Sequence, residues 1–87
     1  MRSILLTKSA IKDFEYWGIN DPKMLKRIAL LFYSISKTPF EGIGKPELLK
    51  SDLRGFWSRR ITDEHRLVYE IDSEKIIVIS CRSHYNF

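Results

Sequence analysis

An 87-residue chain has room for one hydrophobic core, and 44 % hydrophobic with 13 % aromatic content is enough to fill it, which excludes two domains and intrinsic disorder. No apolar run approaches the ~20 residues that cross a bilayer, and no basic start leads into an apolar secretory segment. The single cysteine, Cys81, leaves no internal disulfide to form, so the expectation is one soluble domain, residues 1–87, in a reducing cytoplasm. Fifteen basic against eleven acidic residues give a net charge of +4, compatible with a polyanionic partner. The surplus lies in residues 1–37, with seven basic and three acidic side chains; residues 38–87 carry eight of each. An anion site in the second half therefore has to be a local arrangement.

Ser3 to Leu6 is a short apolar stretch suited to an edge strand. From Lys8 to Trp17, Ala10, Ile11, Phe14 and Trp17 fall on one helical face. Asn20-Asp21-Pro22 reads as a stop and restart, with Asp21 as N-cap and Pro22 at the first helical position. Met24, Leu25, Ile28, Leu31, Phe32 and Ile35 then recur with helical period through about Lys37, while Lys23, Lys26, Arg27 and Lys37 take the outer side. Between Thr38 and Asp52 the periodicity vanishes in a stretch rich in proline and glycine, a long loop of the kind that carries function. Three strands follow. Gly55 to Ile61 alternates Phe56, Ser58 and Arg60 against Trp57, Arg59 and Ile61; Arg66 to Ile71 alternates Arg66, Val68 and Glu70 against Leu67, Tyr69 and Ile71; Ile76 to Ser80 is nearly all apolar, as in a central strand. Strand, two helices, loop and three-stranded meander make an α+β fold with the helices on one sheet face.

Sites that require a full motif fail first. Gly42-x-Gly44-Lys45 lacks the spacing and the Ser/Thr of a phosphate loop, and Pro46 blocks the helix such a loop needs. His65, His84 and Cys81 do not make a tetrahedral metal set, so no cofactor is expected. Cys81, in a strand pattern, reads as a small core residue. What remains suits RNA cleavage without a metal. That reaction needs a base for the 2′-OH proton, a cation on the developing phosphorane, and an acid for the departing 5′-oxygen. Carboxylate, guanidinium and imidazole fill those three roles near neutral pH, and guanidinium grips phosphate with two parallel hydrogen bonds.

The candidates are Glu47, Lys50, Arg59, Arg60, Arg66, Arg82 and His84, with Tyr85 beside it. Each has a plainer reading: Glu47 as a solvated loop carboxylate, Arg59 and Arg60 as a wet strand face, His84-Tyr85 as a frayed tail. Arg60 and Arg66 flank a short turn and are expected to be neighbours across a hairpin, where two guanidiniums repel unless an anion joins them.

Thr38-Pro-Phe-Glu-Gly-Ile-Gly-Lys-Pro-Glu47, Gly55-Phe-Trp-Ser-Arg-Arg-Ile-Thr-Asp-Glu-His-Arg-Leu-Val-Tyr69 and the terminal Cys81-Arg82-Ser83-His84-Tyr85 together resemble the YoeB (Txe) toxins of the RelE superfamily, endoribonucleases of bacterial type II toxin–antitoxin modules. The resemblance covers essentially the whole chain. It implies a compact microbial-ribonuclease-like fold, two N-terminal helices packed on one face of an antiparallel sheet, that cleaves mRNA in the ribosomal A site. By matching motif positions it implies Glu47 as general base, Arg66 as stabiliser of the transition state, His84 as general acid and Tyr85 as an orienting group. Lys50 and Arg60 would contact phosphate, with Arg59 counted beside them. The implied partners are a YefM/Axe-like antitoxin, mRNA and the 70S ribosome, operator DNA only through the antitoxin, and a second copy of the chain. The basic helix faces (Lys12, Lys23, Lys26, Arg27) would meet the antitoxin tail or ribosomal RNA. Two alternatives stay open: a module that blocks translation without cutting, and a degenerate toxin kept as an antitoxin partner. The chain departs from the family by adding Asn86-Phe87 after the His-Tyr pair and by Leu48 where many relatives have proline.

Overall fold

The computed structural model describes residues 1–83; the expected site residues His84 and Tyr85 and the Asn86-Phe87 extension lie outside the described residues. The amphipathic stretch forms two helices, α1 (Lys8–Asn20) and α2 (Lys23–Lys37). Thr7 caps α1 by accepting the Ala10 N–H on its hydroxyl at 3.3 Å. Asp21 does not cap α2 as its sequence position suggests. It closes α1 instead, donating its N–H to the Trp17 carbonyl at 2.9 Å, while its own carbonyl accepts from Met24 at 3.0 Å. Pro22 takes the N-cap position with a helical φ of −59°, a value its ring supplies.

The chain continues through β2 (Glu47–Leu48), a short 3₁₀ turn (Ser51–Leu53), β3 (Phe56–Arg60), β4 (Arg66–Ile71) and β5 (Lys75–Ser80), after an opening strand β1 (Ser3–Leu6). The five strands lie in the order β1-β5-β4-β3-β2. β2 to β5 are antiparallel, as expected, but β1 runs parallel to β5, so the sheet is mixed. The two helices carry the chain from β1 across to the far edge, and the meander returns to pair β5 with the strand where the fold began.

Both helices cover one face of this sheet. Ala10 and Trp17 from α1 and Ile28, Leu31 and Ile35 from α2 pack with Leu67, Tyr69, Ile76 and Val78, the inward residues of β4 and β5. The sequence pattern placed the same α2 residues on the apolar side; Ile11, grouped with them in α1, is half exposed. Cys81 sits just beyond β5, fully buried, with Sγ 3.8 Å from the Ala10 carbonyl. Burial, helped by the nearby Asp13 carboxylate, pushes its thiol up to about 12. Relative to the ordinary value of 9.0 this lowers the thiolate population at pH 8 by about a thousandfold. An aromatic disulfide reagent at pH 8 is therefore expected to leave Cys81 unlabelled in the folded protein and to react with one equivalent in urea; prompt native labelling would contradict this core position.

Candidate active site

Strand alternation sends adjacent arginines of β3 to opposite faces of the sheet. Arg59 points toward the helices and is fully buried. Its guanidinium uses all five N–H donors. Nε donates to the Tyr69 hydroxyl at 3.1 Å, Nη1 to Ser34 Oγ at 2.7 Å and the Ile43 carbonyl at 3.1 Å, and Nη2 to the carbonyls of Thr38 and Glu41, both at 2.8 Å. The Tyr69 hydroxyl in turn donates to the Pro39 carbonyl at 3.1 Å; burial raises its pKa, against the lowering effect of Arg59, and keeps it a donor. Residues 38–43 are thus wrapped around a guanidinium. Gly42, at φ +125°, passes so close that a Cβ would meet Ser34 Oγ and stand 2.9 Å from Arg59 Nη1. The glycines that superficially suggest a phosphate loop serve this packing. The expectation that Arg59 contacts RNA phosphate is corrected accordingly: the side chain is on the helix side, and its donors are spent on the loop.

The loop so held delivers Glu47 to the sheet. Glu47 pairs with Ser58 and Leu48 with Trp57, so a two-residue strand lies inside the stretch whose sequence reads only as loop. Pairing opposite Ser58 sets Glu47 on the helix-free face, with Ser58, Arg60, Arg66 and Val68. Ser58 and Val68 are buried and form the floor between the longer side chains. Two strand spacings, about 10 Å, separate Glu47 from the β4 position at Val68, and Arg66 is one pleat further along.

Arg60 and Arg66 are directly opposed across the β3–β4 hairpin, as their spacing predicts. Their mutual repulsion is moderated by the connecting turn. Arg60 lies 3.8 Å from Asp63, an exposed pair, while Arg66 Nη1 donates to the carbonyls of Thr62 at 2.8 Å and Asp63 at 2.9 Å. Among the described residues Arg66 is held through Nη1 alone, which orients its Nε–Nη2 edge while leaving that edge's donors unengaged by them. Only 7 % of Arg66 is exposed, so its charge acts through a poorly screened medium. Beside Arg60, a shallow pocket of about 340 Å³ is lined by Arg27, Lys45 and Arg60 with one carboxylate, Asp63. Arg27 is not on the outer helix side expected of it: Nε and Nη2 reach the carbonyls of Ile61 at 3.3 Å and Arg60 at 3.1 Å. Lys50, before the 3₁₀ turn, is exposed and lies beyond Glu47 at the end of β2 away from Arg60 and Arg66.

Beyond β5, residues 81–83 run along α1 to the start of β4. Trp17 Nε1 donates to the Cys81 carbonyl at 2.8 Å, the Cys81 N–H donates to Asp13 at 3.0 Å, and the Arg82 guanidinium stacks 3.6 Å over the Tyr16 ring. The Arg66 N–H then donates to the Ser83 carbonyl at 2.9 Å, and the Ser83 N–H to His65 Nδ1 at 2.8 Å. Residue 83, the one before His84, is thereby fastened beside Arg66. His65 and Lys45 were missed by sequence reasoning. His65 stands in the same Glu-His-Arg run as Arg66, but nothing local reveals that its ring meets the chain end.

These placements separate the arginines by function. Arg59→Met is expected to destabilise the protein by about 3–5 kcal/mol in urea unfolding, since it strands buried carbonyls and hydroxyls, and Arg59→Lys by a smaller amount because an ammonium has three donors for five acceptors. Arg60→Ala should change stability by no more than about 1 kcal/mol.

Comparison with known proteins agrees with this architecture. Residues 6–85 match the model of a YoeB-like toxin of bacterial type II toxin–antitoxin systems. The chain is 52 % identical over 82 residues to the toxin YoeB of Synechocystis sp., covering 94 % of this chain and 95 % of that one. Among solved structures, the YoeB dimer of Staphylococcus aureus is 48 % identical with a TM-score of 0.89, covering 97 % of this chain and 98 % of that one. The heterotetrameric YoeB–YefM toxin–antitoxin complex of the same organism superposes at 48 % identity and a TM-score of 0.88, covering 98 % and 99 %.

Proposed function

The chain belongs to the YoeB-like toxins of bacterial type II toxin–antitoxin systems, and from that premise we propose that it is an endoribonuclease that cuts mRNA in the ribosomal A site and so arrests translation. The observation that carries the reading is the helix-free sheet face, where a carboxylate, Glu47, stands across a small-residue floor from two opposed guanidiniums, Arg60 and Arg66. Paired cations facing a carboxylate across such a gap suit a phosphodiester, whose own negative charge relieves the repulsion between them.

In this mechanism Glu47 takes the 2′-OH proton of the nucleotide before the scissile bond. The 2′-oxygen attacks phosphorus, and the charge gathered on the phosphorane is balanced by Arg66, whose carbonyl-anchored Nη1 aims the rest of the guanidinium. Arg60 and Lys50 add phosphate contacts. His84 protonates the 5′-oxygen as the P–O bond breaks, and Tyr85 orients substrate or acid. The products are a 2′,3′-cyclic phosphate and a free 5′-OH, and the side chains alone supply base, charge and acid.

The partners follow from the family's assemblies. A YefM-like antitoxin binds the toxin, as YefM does in the Staphylococcus aureus complex, covers it and supplies the contact with operator DNA; two copies of the chain associate, as in the Staphylococcus aureus YoeB dimer.

Primer extension on a defined mRNA in a reconstituted translation reaction tests the reading. Discrete new 5′ ends in or beside the A-site codon are expected with wild-type protein. They should fall by at least about a hundredfold in rate with Glu47→Ala, Arg66→Ala or His84→Ala, each soluble and folded, in proportion to a lost acid–base or charge contribution. Arrested translation on intact mRNA would instead identify a blocking module, and normal translation a degenerate toxin.

A further inference from the structure

We propose that His65 is a positioning residue of the cleavage site, holding Ser83 beside Arg66 through its Nδ1 lone pair; the proposal rests on the cleavage reading above. Both backbone polar groups of Ser83 are taken by consecutive residues of β4 and its turn. The Ser83 N–H donates to His65 Nδ1 at 2.8 Å, and the Ser83 carbonyl accepts the Arg66 N–H at 2.9 Å. The His65 carbonyl also accepts from Arg66 Nη1 at 3.3 Å, so one residue contacts both the Arg66 guanidinium and Ser83.

The ring is itself tightly placed. It meets Trp17 edge to face, with centroids 4.8 Å apart and planes at 82°, and Nε2 lies 3.7 Å from the Glu64 carboxylate. The Ser83 N–H makes Nδ1 the acceptor nitrogen of the ring, with Nε2 turned to the Glu64 side. Ser83 stands at φ +67°, a left-handed conformation unfavourable for a side-chain-bearing residue and maintained only where surrounding bonds impose it. Cys81 and Arg82 are secured separately by Trp17, Asp13 and Tyr16. His65 therefore acts directly on the final residue before His84, while the bonds that hold Cys81 and Arg82 are made by other side chains, Trp17 among them, against which the His65 ring packs.

Two variants of the full chain and one spectroscopic measurement test this. His65→Phe keeps a ring against Trp17 and removes the acceptor; His65→Asn returns an acceptor near the Nδ1 position. In cleavage of an mRNA held on 70S ribosomes, His65→Phe is expected to lower kcat about ten- to a hundredfold with KM unchanged, as small misplacements of reacting groups do, and His65→Asn to recover most of the loss. In nitrogen-15-labelled wild-type protein, a scalar coupling through the hydrogen bond should join the Ser83 amide nitrogen to His65 Nδ1. A folded His65→Phe variant with wild-type kcat, a change confined to KM, or equal losses in the two variants would overturn the proposal. If His65→Phe does not fold, the coupling decides: its absence overturns the proposal, and its presence with near wild-type kcat in His65→Asn upholds it. Absence of new RNA ends with wild-type protein would instead sink the cleavage reading, whatever the coupling shows.

Discussion

A guanidinium buried between a sheet and a helix, with no carboxylate beside it among the described residues, is the constraint on which the rest of this structure depends. Burying a cation is costly unless every donor is met, and Arg59 meets the requirement with neutral oxygens: two hydroxyls and three backbone carbonyls. The acceptors come from α2, from β4 and from residues 38–43, so one side chain joins three parts of the fold that share no backbone ladder. The segment from Thr38 to Pro46 has neither helical nor strand periodicity to define its path. Its carbonyls are directed at Arg59, its glycines permit the approach, and Tyr69 fastens Pro39 from the same cluster.

Glu47 inherits its position from that arrangement. Immediately after the wrapped segment the backbone pairs with β3, bringing the carboxylate opposite Ser58. The two faces of β3 thus have different tasks: Arg59 on the inner face holds the loop, and Arg60 on the outer face joins Arg66 beside the pocket that Lys45 also lines. The period of two along a strand is sufficient to set adjacent, chemically identical side chains apart, one spent on the loop and the other standing beside Arg66 on the opposite face.

Residues 81–83 are held by α1 and by the start of β4. Trp17 and Asp13 hold Cys81 by its backbone, Tyr16 holds Arg82 by its ring, and the β4 edge takes Ser83. A helix that otherwise serves the core therefore also fixes residues 81 and 82, just before the backbone bond between Arg66 and Ser83. The basic excess of the first 37 residues is distributed more unevenly than a helix wheel suggests. Lys12, Lys23 and Lys26 are exposed, whereas Arg27 turns onto the carbonyls at the end of β3 and contributes its charge near the site.

Elements whose residues repeat at a regular period were legible in the chain alone: both helices, the inward set Ile28, Leu31 and Ile35, the three meander strands with their alternating faces, and Arg60 and Arg66 as neighbours across the hairpin. These follow from local geometry, in which a side chain's direction is set by its place in a repeat of 3.6 or of 2. Motif resemblance picked out Glu47 and Arg66 as well. Only the tertiary structure decided the parallel pairing of β1 with β5, the two-residue strand that carries Glu47, the burial of Arg59 and the fastening of Ser83 by His65. Each of these joins residues at least nine positions apart, through backbone groups or a single side chain. No local repeat encodes such a contact, because it exists only once the sheet and its helical cover have closed around it.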